Sequence, residues 1–508
     1  MKHTHHQIIP AGGKARKALQ QKGQFWTPMW LANIMATWVT AIAPKSIFDP
    51  AVGPGTFYAA AIGNGFKGKL LGHELHQEAF LEGESIGLAL DVFKNVTIGD
   101  FITSQSTVKY PAIISNPPYM RHHRLGAEYK VMLSKFAIRE LGFPLDGRVG
   151  LHVYFLIKCL SALQENGRLV FLLPADVCEG VSANKLWVEL TRRYRLNAVL
   201  TFSAEAAPFP KVDTNAMVFF MSKEAPQKTF VWIKATGRNQ DSIQAALDEN
   251  FTHETPLPDV ERFHRNTAEG VATGLSRPLH TVHGAGLPLS RFAKVMRGIA
   301  TGENSFFHMT QKDLVDRGLP KNYFTRAISR TRDCKGSILT INAIEELDKE
   351  DRPTWLLTLG KVDKESLPKK LREYLVTGEV QGLHERSLIK TRRPWYKMEH
   401  RTPPPLLFAY LGRRECRFIK NMANVVPLTG FLCVYPHDGS ADNIDALWRA
   451  LNSPATLDNL KYVGKSYGDG SLKVEPGPLA DLIIPNSIIE EFDLTPTPTE
   501  SLLELETN

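Results

Sequence analysis

The amino-acid sequence predicts an α/β domain built on a mostly parallel sheet, followed by a second domain of different character. In the first half, short runs rich in β-branched and aromatic residues alternate with amphipathic helical stretches, as they do in stacked βαβ units. The chain also has 508 residues, which is too long for one ordinary hydrophobic core.

The α/β domain is predicted to begin with a helix. Thr27 offers a hydroxyl that can cap a helix, and Pro28 suits the first helical position because its missing N–H costs nothing there. The apolar segment that follows extends to about residue 43. Next, the residue pattern predicts strands at 46–48, 69–72, 96–98 and 112–115, and a long helix at 76–93.

The same alternation continues to about residue 236, where the sheet is expected to be complete. A helix is predicted at 151–164, and strands follow at 169–173, 198–202, 216–221 and 229–233. Glycine-rich or polar clusters lie at the carboxyl ends of the early strands. Open α/β sheets bind their ligands at those ends, so a ligand site is predicted there.

Five segments of different character divide the chain. Residues 237–286 are polar and irregular, which is typical of a helix-poor connector. Short β-like runs, with Arg and Lys among aromatic residues, begin at residue 287 and indicate the second domain. The predicted divisions are a polar tail at 1–22, the α/β domain at 23–236, the connector at 237–286, the second domain at 287–490 and a disordered tail at 491–508.

The composition is that of a globular protein and excludes several other classes. Hydrophobic residues make up 43% of the chain and charged residues 22%, and no apolar stretch approaches the roughly 20 residues of a bilayer span. Residues 1–24 lack the apolar core of a secretion signal, so a cytoplasmic location is expected. The five cysteines are odd in number and scattered, which predicts free, mostly buried thiols rather than disulfides or a zinc site. His3, His5 and His6 can chelate a metal, but a disordered polar terminus is the expectation, and no metal is predicted.

The charge balance favours a polyanionic partner. The formal net charge is +8 and the pI is about 9.0, and basic surface is attracted to phosphates. An excess this small also occurs on proteins that never bind DNA. The charge therefore supports a nucleic-acid partner only beside a catalytic motif.

The tetrapeptide Asn116-Pro117-Pro118-Tyr119 directly follows the predicted strand 112–115 and suits chemistry at an exocyclic amine of a nucleobase. Such an amine is a poor nucleophile because its lone pair is delocalised into the ring. The Asn116 side-chain oxygen and the Pro117 carbonyl can each accept an amine proton, while the prolines stiffen the backbone. Tyr119 offers a face on which an extruded base can stack. The alternative is a proline-rich turn that only closes a strand.

Three further strand ends carry residues that suit a nucleotide-like ligand. Residues 49–57 form a glycine loop between a predicted strand and a helix, where glycine lets the backbone approach a ligand. Glu74 ends the next strand, where an acidic residue can bind ribose hydroxyls, and Asp100-Phe101 ends the third. Taken singly, Glu74 and Asp100 match solvated loop acids equally well. Four consecutive strand ends that each carry a suitable residue predict one shared site.

Together these segments resemble the gamma group of amino-methyltransferases of restriction-modification systems, specifically the TaqI-like adenine methylases, over most of residues 23–236. The sequence Gln24-Phe25-Trp26-Thr27-Pro28 is similar to the N-terminal cofactor motif of that family. The resemblance implies a Rossmann-like class I methyltransferase sheet with a C-terminal mixed α+β target-recognition domain. It also implies S-adenosylmethionine as cofactor and transfer of its methyl group to N6 of adenine in double-stranded DNA after base flipping.

The resemblance also assigns roles to individual residues. Thr27 and Pro28 would line the methionine end of the cofactor, Asp49 would bind its amino group, Glu74 its ribose, and Asp100 and Phe101 its adenine. The loop residues Ala51, Gly53 and Gly55 would approach the cofactor, although Val52 and Pro54 depart mildly from the family pattern. Asn116 to Tyr119 would be catalytic. Phe209, in Pro208-Phe209-Pro210-Lys211, would join Tyr119 in stacking on the flipped base.

The second half resembles the recognition domain of the same family less closely. Residues 287–307 are similar to its opening and 460–485 to its closing segment. Basic and aromatic residues that suit contact with DNA cluster in short segments, although each charge run by itself is typical of a solvated face. The candidates are Arg297, Arg392, Arg393, Trp395 and Tyr396, with Arg413 and Arg414 in a further cluster. His122 and His123 could contact phosphates, but a solvated basic loop is expected there.

Several alternatives stay open at this point. N4-methylation of cytosine uses the same chemistry, and glutamine methyltransferases that act on release factors carry the same tetrapeptide but are smaller. A catalytically silent DNA-recognition subunit of a defence complex is a further possibility. Methylation at carbon 5 of cytosine is disfavoured because no Pro-Cys dipeptide supplies the nucleophilic thiolate. A separately encoded restriction endonuclease is the expected partner.

Overall fold

A computed structural model describes residues 26–120, 125–147, 149–178, 183–203, 205–209, 215–250, 256–276, 285–409, 416–466 and 472–498. The described residues form two compact units, 26–276 and 285–498. No helix in this part of the chain has the length and apolar character of a membrane span.

The first unit is a nine-stranded sheet with helices on both faces. Its strands are β1 (Ser46–Asp49), β2 (Lys69–Glu74), β3 (Val96–Ile98), β4 (Tyr110–Ser115), β5 (Leu163–Pro174), β6 (Arg195–Phe202), β7 (Ala216–Ser222), β8 (Thr229–Ala235) and β9 (Val260–Asn266). Its helices are α1 (Met29–Thr40), α2 (Thr56–Gly63), α3 (Ala127–Leu141), α4 (Leu151–Ser161), α5 (Ala183–Arg193), α6 (Gln240–Ala246) and α7 (Thr267–Thr273).

The strand order is β3-β2-β1-β4-β5-β7-β6-β8-β9. The first five strands in this order are parallel, so their carboxyl ends share one edge. Strand β7 is antiparallel to both of its neighbours, β5 and β6. This arrangement confirms the predicted α/β sheet and brings the ends of β1, β2, β3 and β4 together.

Two apolar layers hold the helices to the sheet, because successive side chains of a strand point to opposite faces. Phe48 and Ile113 pack on one face with α3, α4 and α5. Ile47 and Ile114 pack on the other face with α1, α2 and α6. The site-bearing strand ends therefore project from a sheet that is buried on both faces.

Three local predictions in this unit are wrong. The predicted helix 76–93 consists of two 3-10 segments, Gln77–Ile86 and Leu90–Phe93, because Gly87 between them takes a φ of 83°. The predicted connector 237–286 holds α6, α7 and β9, so the sheet continues to Asn266 rather than ending near 236. Helix α1 begins at Met29 without a side-chain cap, since the Thr27 hydroxyl has another partner.

The second unit contains several small sheets and short helices. Its strands are β10 (Gly286–Pro288), β11 (Ala293–Arg297), β12 (His308–Met309), β13 (Phe324–Ile328), β14 (Ile338–Leu339), β15 (Trp355–Leu357), β16 (Leu406–Ala409), β17 (Arg417–Asn421), β18 (Val426–Pro427), β19 (Phe431–Pro436), β20 (Lys465–Ser466), β21 (Leu472–Lys473) and β22 (Ile483–Pro485). Its helices are α8 (Asn304–Phe307), α9 (Gln311–Asp316), α10 (Ile341–Lys349), α11 (Lys369–Val380), α12 (Ala441–Leu451), α13 (Pro454–Asp458), α14 (Leu460–Val463), α15 (Pro476–Ala480) and α16 (Asn486–Glu491).

A five-stranded sheet (β11-β19-β16-β17-β14) and a four-stranded sheet (β12-β15-β13-β18) form the centre of this unit. The mixed α+β character agrees with the prediction. The tail predicted to be disordered from 491 is partly ordered, since Leu494 is buried and Thr497 exchanges hydrogen bonds with Arg291.

Candidate active site

The end of β1 carries a buried carboxylate with an unused oxygen. Asp49 Oδ1 accepts hydrogen bonds from the backbone N–H of Ala51 (3.0 Å) and from Ser115 Oγ (2.9 Å) at the end of the neighbouring strand β4. Asp49 Oδ2 is buried and has no hydrogen-bond partner among the described residues. Burial raises the pKa of Asp49 to about 7, although these two hydrogen bonds oppose the shift. A cation placed against Oδ2 would satisfy this carboxylate.

The glycine loop after β1 is tied to the end of β2. The Gly53 N–H donates to Glu74 Oε2 at 2.8 Å, and the backbone N–H groups of Leu75 and His76 donate to Oε1 at 2.9 and 3.1 Å. Gly53 has a φ of 55°, and no described atom lies within 4 Å of the position that a Cβ would take. Gly53 thus combines a conformation that favours glycine with open space beside the backbone.

The turn after β3 is held by a lysine that the sequence analysis did not identify. Asp100 Oδ1 accepts from the Ile102 N–H (2.8 Å), and its Oδ2 accepts from Tyr129 Oη (2.7 Å). Lys158 Nζ, from α4, donates to the carbonyl oxygens of Phe101, Ile102 and Ser104, and it lies 4.6 Å from the centre of the Phe101 ring. Burial lowers the pKa of Lys158. The clue in the sequence was a single lysine inside segment 151–160, which is apolar apart from His152 and Lys158.

The tetrapeptide lies where β4 ends, beside Asp49. Pro117 is buried, whereas Asn116, Pro118 and Tyr119 are half-buried, so the corner is not sealed inside the core. Asn116 Nδ2 donates to Thr27 Oγ1 at 3.2 Å. The corner is also anchored to the start of α4, because the Leu151 N–H donates to the carbonyl of residue 120 at 2.9 Å.

An aromatic pair follows the corner, and its second member was missed by sequence reasoning. The rings of Tyr119 and His152 meet edge to face, with centroids 5.6 Å apart. Tyr119 Oη and His152 Nδ1 are both buried and have no hydrogen-bond partner in the described part of the chain. Burial raises the pKa of Tyr119 and lowers the pKa of His152 to about 4, so both side chains are neutral at neutral pH.

Comparison with protein families assigns the fold to a known family. The N-6 DNA methylase family matches residues 12–269, which is just over half of the chain. The chain belongs to the N-6 DNA methylase family. Residues 280–502 match the C-terminal domain of the type II methyltransferase M.Eco57I.

Two curated relatives share most of their length with this N-6 DNA methylase. The type II methyltransferase M.AccI of Acinetobacter calcoaceticus is 27% identical over 467 residues, covering 90% of this chain and 84% of the relative. The type II methyltransferase M.XamI of Xanthomonas campestris pv. amaranthicola is 26% identical over 491 residues, covering 94% and 87%.

Two solved structures share the fold at low sequence identity. The type IIL restriction-modification enzyme MmeI in complex with DNA gives a TM-score of 0.52 at 13% identity, over 90% of this chain and 64% of MmeI. A nuclease-deletion mutant of the type ISP restriction-modification enzyme LlaGI gives 0.51 at 13% identity, over 92% and 46%. The chain therefore spans less than two thirds of either structure.

The methyl donor of this family is S-adenosylmethionine, and the residues at the strand ends fit it. The unpartnered Asp49 Oδ2 suits the ammonium group of its methionine moiety. The open space at Gly53 admits a ligand against the backbone. The described residues hold no cluster of His, Cys, Asp or Glu arranged to bind a metal ion.

Phe209 does not lie where the sequence analysis expected a base-stacking ring. The side chain is only 3% exposed and packs in the apolar layer that also contains α1 and α6. The ring that contacts Tyr119 is His152. A base could stack on Phe209 only after this segment moves, so that role stays a prediction. Residues 24, 25, 121–124, 210 and 211 lie outside the described part of the chain.

The candidate DNA contacts in the second unit separate into exposed and internal side chains. Arg393 is exposed, and among the described residues it bonds to nearby carbonyls (Lys390, 2.6 Å; Arg392, 2.9 Å). The exposed Arg297 pairs with Glu475 at 2.8 Å. Tyr396 is 3% exposed and its hydroxyl donates to the Val362 carbonyl, so contact with DNA would require this segment to move and stays a prediction.

Two further candidates have internal partners. Trp395 is half-buried, donates to Glu379 Oε1 (3.2 Å) and packs on Phe306. Arg392 is half-buried over the Phe307 ring and donates to the Ala300 carbonyl at 2.7 Å. Both therefore contribute to the packing of this unit. Arg413 and Arg414 lie outside the described residues.

Proposed function

We propose that this chain is a gamma-group, TaqI-like methyltransferase that moves a methyl group from S-adenosylmethionine to N6 of adenine at a specific DNA site. One observation carries the proposal: two consecutive residues at the end of β4 contribute to two different parts of the site. Ser115 bonds to Asp49, the candidate ligand of the cofactor ammonium, and Asn116 begins the catalytic tetrapeptide. Methyl donor and acceptor amine would therefore meet at one strand end.

The chemistry follows from the orientation of Asn116. Its Nδ2 donates to Thr27, so Oδ1 is the branch of the amide that accepts. The two N–H groups of the amine would donate hydrogen bonds to Asn116 Oδ1 and to the Pro117 carbonyl. These bonds draw the nitrogen lone pair out of conjugation with the ring. The cofactor supplies an electrophilic methyl group on a sulfonium. Attack by the amine nitrogen on this methyl group would break the carbon–sulfur bond with a neutral thioether as leaving group, and the nitrogen would then lose one of its two protons. This route needs no covalent enzyme intermediate.

Access to the amine requires the adenine to leave the duplex, because a stacked base cannot reach a pocket at a strand end. The half-buried ring of Tyr119 offers a stacking surface, and His152 supports its edge. Both side chains are neutral at neutral pH, which suits contact with an uncharged base. Stacking would return part of the unstacking free energy, a few kcal/mol.

We further propose that the second unit recognises the DNA site and that a separately encoded restriction endonuclease shares that site. Residues 280–502 match the C-terminal domain of a type II methyltransferase, and the formal net charge of +8 favours phosphate contact. The relatives M.AccI and M.XamI carry type II methyltransferase names and align over most of this chain. These matches support a role in host DNA protection.

The variant Asn116→Ala tests the proposed mechanism. It should retain cofactor and DNA binding but lose turnover by about 10²- to 10³-fold, the usual effect of removing one preorganised polar group. Calorimetry measures the cofactor affinity, and labelled methyl incorporation into unmethylated genomic DNA measures the turnover. Unchanged turnover would refute the role of Asn116.

A further inference from the structure

The hydroxyl of Thr27 serves the catalytic amide rather than the helix that follows it. Thr27 is buried (5% exposed), and its Oγ1 lies 3.2 Å from Asn116 Nδ2. Helix α1 begins two residues later and receives no side-chain cap. The two bonded residues are 89 positions apart in sequence, so the fold has brought this hydroxyl to the tetrapeptide.

The direction of this hydrogen bond determines what Asn116 can do. A side-chain amide has an oxygen that accepts hydrogen bonds and an NH₂ group that donates them. Only the oxygen can accept hydrogen bonds from the N–H groups of the target amine. A hydroxyl can either donate or accept. If Thr27 donated to Oδ1, the NH₂ group of Asn116 would turn toward the target amine and oppose it. For the amide to be correctly oriented, the Thr27 hydroxyl must therefore donate its hydrogen bond to a group other than Asn116.

The position of Asp49 indicates where that proton goes. The unpartnered Asp49 Oδ2 suits the cofactor ammonium, and the carboxylate of an amino acid is attached to the same carbon as its ammonium. That carboxylate must therefore lie within a few ångströms of the ammonium. Ser115 and Asn116 link Asp49 to Thr27 through bonds of 2.9 and 3.2 Å. The Thr27 hydroxyl lies at the same strand end as Asp49 and is a candidate donor for that anion.

We propose that Thr27 is a positioning residue that sets the orientation of the Asn116 amide when the cofactor binds. Its hydroxyl donates to the cofactor carboxylate and accepts from Asn116 Nδ2, which turns Oδ1 toward the target amine. Cofactor binding and amide orientation are coupled through this one hydroxyl. The inference rests on the proposed function, because it requires Asn116 to accept the amine protons.

The test compares Thr27→Val, which keeps the shape but lacks the hydroxyl, with Thr27→Ser, which keeps the hydroxyl. Thr27→Val should lose about tenfold in cofactor affinity, measured by calorimetry without DNA, and about tenfold in rate at saturating cofactor and DNA. Thr27→Ser should stay within about threefold of the original protein in both measurements. If Thr27→Val does not fold, Thr27→Ala removes the hydroxyl with a smaller side chain.

A second background separates positioning from cofactor binding alone. In Asn116→Ala, adding Thr27→Val should still weaken cofactor binding but should not slow the residual single-turnover rate further. The inference is overturned if Thr27→Val keeps the original rate at saturating cofactor, or if it slows Asn116→Ala by the same factor. If Asn116→Ala itself retains full turnover, the proposed function fails instead.

Discussion

At the scale of single residues, the site depends on buried polar atoms that have no hydrogen-bond partner within the described part of the chain. Asp49 Oδ2 lies at the end of β1, and Tyr119 Oη and His152 Nδ1 lie beside the tetrapeptide. Leaving such atoms unpaired costs free energy, about 1–3 kcal/mol for each group. These three atoms lie at or next to the carboxyl ends of β1 and β4, where a polar ligand could pair with them.

Asp49 leads to a pH-dependence of cofactor binding. Its raised pKa of about 7 means that the carboxyl is increasingly protonated below neutral pH, and a protonated carboxyl binds an ammonium poorly. Cofactor affinity should therefore be greatest between about pH 7 and the pKa of the cofactor amine, roughly 8, and it should fall as the pH drops below this range, approaching about tenfold per pH unit in the acid range.

Calorimetry from about pH 5.5 to about pH 7.0 keeps the cofactor amine almost fully charged and checks this dependence. Asp49→Asn is the control and should bind weakly with little dependence on pH. An affinity of the unaltered protein that is constant over this range would show that Asp49 does not titrate in the free site.

Sequence reasoning found the residue types at the site but not all of their partners. The order of Asp49, Glu74, Asp100 and Asn116 along the chain was enough to predict four neighbouring strand ends. The sequence could not show that the hydroxyl of Thr27 bonds to Asn116 rather than capping α1, because both uses suit a threonine before a proline. His152 and Lys158 were missed because they lie in a segment that matches a buried helix.

At the scale of elements, helix α4 connects two parts of the site. Its first residue donates to the carbonyl of residue 120, next to the tetrapeptide, and Lys158, about two turns later, holds the turn after β3. The helix packs on β5 within the apolar layer of that face. A substitution within α4 should therefore affect cofactor binding, although α4 is distant in sequence from the strand ends that carry the other candidate cofactor residues.

The variant Lys158→Met tests this connection. It keeps an unbranched side chain but removes the donor to the carbonyls of Phe101, Ile102 and Ser104, which should loosen the proposed adenine end of the cofactor site. Cofactor affinity should fall by about tenfold, the equivalent of roughly 1.4 kcal/mol. Lys109→Met is the matched control, because exposed Lys109 bonds to the single carbonyl of Ser161 and should leave affinity unchanged. Equal affinities of the two variants would contradict the account of α4.

The elements that were wrongly predicted fail for local reasons. Residues 76–93 have a helical pattern, but Gly87 adopts a left-handed conformation, and an added Cβ at Gly83 would lie 2.8 Å from the Pro54 carbonyl. Residues 237–286 look polar because α6, α7 and β9 lie at the edge of the sheet, where only part of each element is buried. The first error involves a glycine inside the segment together with the Pro54 carbonyl outside it, and the second comes from the position of the elements in the sheet.

At the scale of the whole molecule, DNA binding is expected to depend on exposed cations of the second unit. Arg393→Gln should weaken binding to non-specific DNA by a few-fold and reduce the slope of log affinity against log salt by about 1, without changing thermal stability. Arg392→Gln should instead lower the melting temperature, because Arg392 bonds to the Ala300 carbonyl and covers Phe307. Salt titrations and thermal melts of both variants separate the two roles. Identical behaviour of the two variants in both measurements would contradict this division.

The sequence could predict a basic, aromatic second domain but not which of its side chains face outward. Tyr396 and Trp395 belong to one basic-aromatic run, and yet Tyr396 is buried against Val362 and Trp395 bonds to Glu379. Those partners come from distant segments of the chain. The basic residues that flank them look alike in the sequence. Only the exposure of each side chain distinguishes one that can bind phosphate from one that packs inside the unit.

Nucleoside mass spectrometry of DNA from cells that express this chain tests the central claim most directly. The account predicts N6-methyladenine in that DNA and its loss in cells expressing Asn116→Ala at the same protein level. Detection of N4-methylcytosine instead, or of no new modified base from a folded and cofactor-binding protein, would contradict it.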